Sequence, residues 1–157
     1  IHYVAVYRFF KFTQYYYHKN RILGFFLYFI ASSISWFAGL IYNIHIESYD
    51  DFGPGLFIAH PSCIFIGGKI GKNCILHQCT TIGWGYSEGK YGVPEIGDNV
   101  WIGPNVIIYG NIKIGSNETI SAGAVVTKDI PEKALALGNP CRVVTADYDN
   151  SLLYIKK

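Results

Sequence analysis

Five histidines and four cysteines supply most of the side chains in this sequence that could move a proton near neutral pH or hold a metal. Cys63, Cys74, Cys79 and Cys141 form no CxxC pair and no Cys/His ligand cluster, which reads as reduced core or corner thiols of a cytosolic protein. His60 and His77 are out of register with each other, and no third histidine lies near enough to complete a three-histidine zinc site. No metal is therefore expected. An imidazole, whose ordinary pKa lies near neutrality, is a side chain that can take the proton of a hydroxyl nucleophile. The other conspicuous segment is Gly83-Trp84-Gly85-Tyr86-Ser87-Glu88-Gly89-Lys90-Tyr91-Gly92-Val93-Pro94-Glu95, with four glycines besides three aromatic residues. A purely solvated loop would hold fewer aromatics, so this segment reads as a binding loop on a rigid scaffold.

The scaffold that must position these groups is legible as a period of six. Ile46, Phe52, Ile58, Ile64, Ile70, Leu76 and Ile82 fall six apart, and the spacing resumes at Ile96, Ile102, Ile108, Ile114, Ile120 and Val126. A hexapeptide period predicts a parallel β-helix in which three short strands make one triangular coil. Residues 18 apart should then stack, so Gln78 belongs directly above His60, with His77 one slot out of register. Positions two before each anchor (Ile44, Leu56, Val100, Val106 and Ile112) should also point inward, because strand side chains alternate. Gly53, Gly71, Gly83, Gly97, Gly103 and Gly115 follow anchors and suggest a permissive backbone at the corners. The grid spans about four coils. Its break, fourteen residues from Ile82 to Ile96, is two more than two hexads allow.

Three regions follow: an apolar helical region at 1–43, the β-helix at 44–130 carrying the loop 83–95, and a short tail at 131–157. The first region reads as one or two helices, and Ile22 to His45 carries no formal charge, close to the ~20 residues a membrane-crossing helix needs. Glycines and serines dilute the stretch, which favours packing against the solenoid or a second subunit, with peripheral contact to the inner face of the membrane as an alternative. A net charge of +2 without a dense basic run gives no reason to expect nucleic-acid binding. So short a prism leaves flat faces uncovered, and side-by-side oligomers would cover them.

The motifs resemble those of the hexapeptide-repeat acyltransferases, near the branch of serine acetyltransferase and its polysaccharide-modifying relatives. The resemblance rests on Gly55-Leu56-Phe57-Ile58-Ala59-His60, on Ile70-Gly71-Lys72-Asn73-Cys74 and Gln78, and on Ile96 through Gly103. It extends through Ala122-Gly123-Ala124-Val125-Val126-Thr127-Lys128 to Gly138-Asn139-Pro140-Cys141-Arg142, an ending similar to that of sugar acetyltransferases. It implies a left-handed β-helix, an acetyl-CoA-dependent transferase and a homotrimer or dimer of trimers, with the acetyl donor lying between two subunits. His60 is then the general base and Gln78 its orienting neighbour or a contact to the acceptor. The donor-binding positions become Gly83, Trp84, Gly85, Gly103, Pro104, Ala122 and Gly123, with Lys128 and Arg142 for the phosphates. His77 reads as a surface or packing residue.

Departures from serine acetyltransferase bear on the acceptor. The aspartate before the catalytic histidine is Ala59, the second active-site histidine is Val93 preceded by Gly92, and the paired aspartate aligns with His45. Glu47, Asp50 or Asp51 would have to replace that aspartate. An apolar site would leave a zwitterion's charges unpaired, whereas a sugar suits the faces of Trp84, Tyr86 and Tyr91. The expectation is O-acetylation of a saccharide of capsular or lipopolysaccharide type. Serine O-acetylation and N-acetylation of a nucleotide-linked amino sugar are the alternatives, and a non-catalytic scaffold is a further one.

Overall fold

A computed structural model describes residues 2–47 and 51–154, without the side chains of His2 and Tyr3. It opens with two antiparallel helices, α1 (His2–Lys19) and α2 (Arg21–Tyr42), hinged at Asn20. The Asn20 side chain accepts a hydrogen bond from the Leu23 N–H and so caps α2 at its start. Asn43 ends α2 in the left-handed conformation, and the first strand begins at Ile44. The helices touch closely where a Cβ on Gly24 would run into the Tyr17 backbone. α1 is fastened to the solenoid by the tilted ring contact of Tyr7 with Phe52 at 4.8 Å and by Arg8 donating to the Gly53 carbonyl oxygen.

From Ile44 the chain winds into a left-handed parallel β-solenoid of about five turns with three faces. The first face stacks Ile44–Ile46, Ile64–Ile66, Thr81–Gly83, Ile107–Tyr109 and Val125–Val126. The second stacks Asp51–Phe52, Lys69–Ile70, Glu95–Ile96 and Lys113–Ile114. The third stacks Phe57–Ile58, Ile75–Leu76, Trp101–Ile102, Thr119–Ile120 and Ala134–Leu137, then receives Arg142–Ala146 antiparallel on its end. The rung at Ala134–Leu137 carries the solenoid beyond Ile130, which is why it has about five turns where the grid alone suggested four.

The core is the set of inward positions that the periodicity picks out. Ile82, Ile102, Ile108, Ile120 and Val126 are fully buried, and so are Val100, Val106 and Ala124 two residues before their anchors. The six-residue spacing nevertheless hides a slip. Ile66, not Ile64, pairs with Ile46 below and Ile82 above, so one corner is two residues longer and the next two shorter. The grid stays in step because the two errors cancel, and both Ile64 and Ile66 end up buried. The extra residues lie in the His60-Pro61-Ser62-Cys63 corner.

The glycines after anchors serve a purpose other than the one the sequence suggested. None of Gly53, Gly71, Gly83, Gly97, Gly103 or Gly115 has positive φ. A Cβ on Gly71 would instead come within 2.5 Å of the Gly97 carbonyl oxygen in the next coil, so the constraint is the closeness of stacked corners. Left-handed conformations fall largely to asparagine and cysteine: Asn73, Asn99 and Asn117 ladder up one corner, and Cys63, Cys79 and Asn105 up another. In the first ladder each asparagine amide donates to the next, at 3.3 and 3.1 Å.

Glu118 is a buried acid near the end of the solenoid. Its Oε2 accepts from the Ala134 N–H at 2.9 Å, and burial pushes its carboxyl from 4.5 up to about 8. The folded state therefore holds a proton that the unfolded chain releases above pH 4.5. This contribution is full below that pH, falls as pH rises, and levels off above about 8. Glu118→Gln keeps an acceptor for the Ala134 N–H and cannot ionise. Urea midpoints at pH 5 and pH 8.5 should show the variant losing less stability than the parent over that interval; parallel losses would mean that Glu118 is not the titrating group.

Candidate active site

His60 follows the strand Phe57–Ile58, at the corner where the third face turns into the first. Strand pairing of Phe57 with Ile75 and of Ile58 with Leu76 would bring Gln78 over His60, but the two extra residues of this corner intervene. The Cys79 N–H donates to the Ser62 carbonyl, so Gln78 stands over Ser62 and His60 lies on the bulge beside it. The pairing of Leu76 with Ile102 and of Ile102 with Ile120 continues that column to Pro104 and Ala122. Gly123 lies one residue on, donating from its N–H to the Pro104 carbonyl. Four of the expected site positions, Gln78, Pro104, Ala122 and Gly123, thus stand at the corner that also carries His60.

His77, which the sequence suggested was a packing residue, stands at the same corner. Its ring centroid is 6.4 Å from that of His60 and 4.7 Å from that of Trp101. Its Nδ1 lies 2.9 Å from the Ile102 carbonyl oxygen, which can only accept, so Nδ1 carries the proton and donates. Nε2 of the neutral ring is then the basic nitrogen. Thr80 Oγ1 donates to the His77 carbonyl at 2.8 Å and braces the same turn. Beside this pair the Gln78 Oε1 is buried without a hydrogen-bond donor among the described residues. His60 itself is exposed, and no carboxylate hydrogen-bonds to it among the described residues.

The aromatic loop is a β-hairpin. Gly85–Ser87 pairs antiparallel with Lys90–Gly92, so Tyr86 faces Tyr91 at 5.0 Å and Trp84 stacks on Tyr91 at 5.5 Å. It is an eight-residue insertion into a single hexad, as Lys69 pairs with Glu95 twenty-six residues on, where eighteen would be regular. The three rings stay exposed as a rail. Trp84 Nε1 donates to Glu47 Oε2 at 3.0 Å, and Ser87 Oγ donates to the Thr127 carbonyl, which holds the hairpin along the solenoid.

The structure sets several of the expected site residues apart within one chain. Glu47 and Asp51 do not sit beside His60 in the same chain. Glu47 lies at the other edge of the first face, where its carboxylate holds Trp84, and Asp51 is on the second face opposite Lys69. Asp50 lies outside the described residues. His45, aligned with the missing aspartate, stacks flat on Phe65 at 5.1 Å. Lys128 and Arg142 are also apart. Lys128 follows Val125–Val126 at the hairpin edge, whereas Arg142 pairs with Leu137 at the end of the third face, toward the histidine corner. Gly83, Trp84, Gly85 and Lys128 thus share one corner, and His60, Gln78, Pro104 and Ala122 share another. The width of the first face, about 15 Å for five extended residues, separates them.

Residues 94–128 match the family described as bacterial transferase hexapeptide (six repeats). This stretch of the solenoid carries that family's hexapeptide repeats. The serine acetyltransferase of Staphylococcus aureus strain Mu50 is 35% identical over 122 residues, covering 76% of this chain and 57% of the relative. That of Synechococcus elongatus is 32% identical over 117 residues, covering 73% of this chain and 48% of the relative. A solved serine acetyltransferase in complex with CoA superposes with a TM-score of 0.71 at 27% identity, over 91% of this chain and 56% of that one. The chain spans about half the length of the relatives it matches.

The sequence reading set His77 aside as a surface or packing residue, and the structure brings its ring beside that of His60. The available signal was its one-slot offset from His60, but a corner lets two residues that are not in register lean toward each other. The described residues contain no group of three or more His, Cys, Asp or Glu side chains arranged to hold a metal ion.

Proposed function

We propose that this protein is an acetyl-CoA-dependent O-acetyltransferase with its acceptor hydroxyl activated at His60, and that L-serine is the acceptor best supported by its relatives. The observation that carries the chemistry is the histidine corner: two imidazoles 6.4 Å apart on a rigid turn, one of them fixed in tautomer by a carbonyl. The acceptor oxygen gives its proton to a His60 ring nitrogen while attacking the thioester carbonyl. The tetrahedral intermediate collapses, the carbon–sulfur bond breaks, and the imidazolium returns the proton to the departing CoA thiolate. His77 stands where it can hold the acceptor or His60 in line. The choice of serine rests on the two relatives named serine acetyltransferase.

A trimer accounts for the separation of the two corners. One subunit's hairpin corner, with Gly83, Trp84, Gly85 and Lys128, would meet the next subunit's histidine corner, so that donor and base converge only between copies. Gly103, Pro104, Ala122 and Gly123 would line the wall along which the pantetheine arm lies, and Arg142 would reach the phosphates from the other copy.

A second reading keeps the donor and base and changes the acceptor to a saccharide hydroxyl. The rail of Trp84, Tyr91 and Tyr86 favours it, since stacked exposed rings suit a sugar face better than a small zwitterion. Ala59 and Val93 favour it as well, because neither can pair a charge. The deciding experiment measures thiol release from acetyl-CoA with L-serine, free sugars, oligosaccharides and nucleotide sugars. Turnover with serine alone supports the first reading; turnover with a saccharide and none with serine replaces it by the second. Lys128→Ala in the same assay should raise the KM for acetyl-CoA about three- to tenfold by removing a phosphate contact, and an unchanged KM would make Lys128 a bystander.

A further inference from the structure

The face of α2 turned away from α1 is apolar along its whole length. Twelve large hydrophobic residues of α2 are each at least 38% exposed, including Phe26, Phe29, Ile30, Trp36, Phe37 and Leu40. On a helical projection at 100° per residue, eleven of them, all but Tyr28, fall within about half the circumference. Gly24 and Ala31 lie on the opposite, buried side. Ser33 sits inside the apolar arc, and its hydroxyl donates to the Phe29 carbonyl at 2.9 Å, so no polar group there demands water. Soluble monomers rarely expose apolar patches of this extent.

Charge indicates what covers it. Residues 1–46 contain Arg8, Lys11, Lys19 and Arg21 and not one aspartate or glutamate. Lys19 and Arg21 flank Asn20 at the hinge between the helices, next to the start of the apolar arc. A second copy pressed against this face would bring the hinge cations Lys19 and Arg21 of both copies to the interface, with no carboxylate in residues 1–46 to pair them. An anionic surface meets them favourably, and one with an apolar interior also takes the aromatic arc.

We infer that the α1–α2 hairpin docks this protein on a bilayer containing anionic lipid, with the exposed arc of α2 lying in the plane of the headgroup–acyl boundary and the hinge cations among the headgroups. Although α2 is long and apolar enough to cross a membrane by length and composition, the geometry favours lying flat. α1 covers one side of α2 and is itself fastened to the solenoid through Tyr7 and Arg8, so lipid cannot surround α2. Spanning would also carry Lys19 and Arg21 across the hydrocarbon. The inference does not depend on which acceptor the histidine corner serves.

The test is flotation of the full chain with vesicles of phosphatidylcholine alone and with about one third phosphatidylglycerol, at low salt and at about 0.5 M salt. Partition onto the anionic vesicles should be at least about tenfold higher and largely lost at high salt. The double variant K19Q/R21Q, which leaves the apolar packing alone, should weaken it about fivefold or more with an unchanged thermal midpoint. Trp36→Ser should weaken it further. Equal partition onto both vesicle types, or undiminished binding by K19Q/R21Q, would overturn the proposal. So would an absence of vesicle binding together with concentration-dependent assembly that Trp36→Ser disperses, which would assign the face to a second copy of the chain.

Discussion

His60→Ala should lower the rate of acetyl transfer by about 10²–10⁴ while leaving acetyl-CoA affinity nearly unchanged. The asymmetry follows from position. His60 is exposed at a corner and supports no core contact, so its removal leaves the solenoid intact. The donor-binding positions at the hairpin corner lie a full face away in the same chain. A base acts on the proton in the transition state and contributes little to ground-state binding of the thioester, so the loss should appear in kcat and not in the Kd for CoA. Steady-state thiol release and calorimetric titration with CoA separate the two. A fully active His60→Ala would move the base to His77, whose Nε2 is the other basic nitrogen at this corner. His77→Gln is the informative companion: it keeps a polar side chain and loses the ring that sits between His60 and Trp101.

Ile102→Asp should have the largest effect on stability. Ile102 is fully buried, with Leu76 paired to it in the coil below and Ile120 in the coil above. The column has no basic partner inside the triangle, so a carboxylate there must remain protonated or draw water into the core, at a penalty of several kcal/mol. Since whole domains are stable by only about 5–15 kcal/mol, the variant should be unfolded, aggregated or melted at much lower temperature. Ile102→Val removes one methylene from the same place and should cost only about 0.5–1.5 kcal/mol. Circular dichroism melts of the two variants check this. A native melt for Ile102→Asp would contradict the burial on which the fold rests.

Inward and outward positions were readable because a β-solenoid repeats one local environment many times. Each coil asks for an aliphatic side chain at the same two slots, so Val100, Ile102, Val106 and Ile108 announce themselves by spacing alone. Phase could not be read so directly. Ile64 falls on the six-residue grid yet occupies the companion slot of Ile66, because a corner two residues long is followed by one two residues short. Counting along the chain is blind to compensating errors; the hydrogen bonds between coils are not. The glycines after anchors show the same limit. Composition suggested freedom of φ, while the stacked corners reveal a Cβ that would strike the next coil.

The amino-acid sequence by itself determined that this chain is a three-sided solenoid with a helical preface, that His60 lies at a corner, and that an aromatic insertion interrupts the winding. Those features follow from local periodicity and its one break. Only the tertiary structure decided which groups meet. It placed His77 against His60, tied Glu47 to Trp84 at the far edge of the first face, and put Lys128 and Arg142 on different corners. The physical reason is that rungs of sixteen, eighteen, twenty and twenty-six residues all close the same triangle. Which side chains share a corner is therefore set by hydrogen-bond register between coils, which no single stretch of sequence contains.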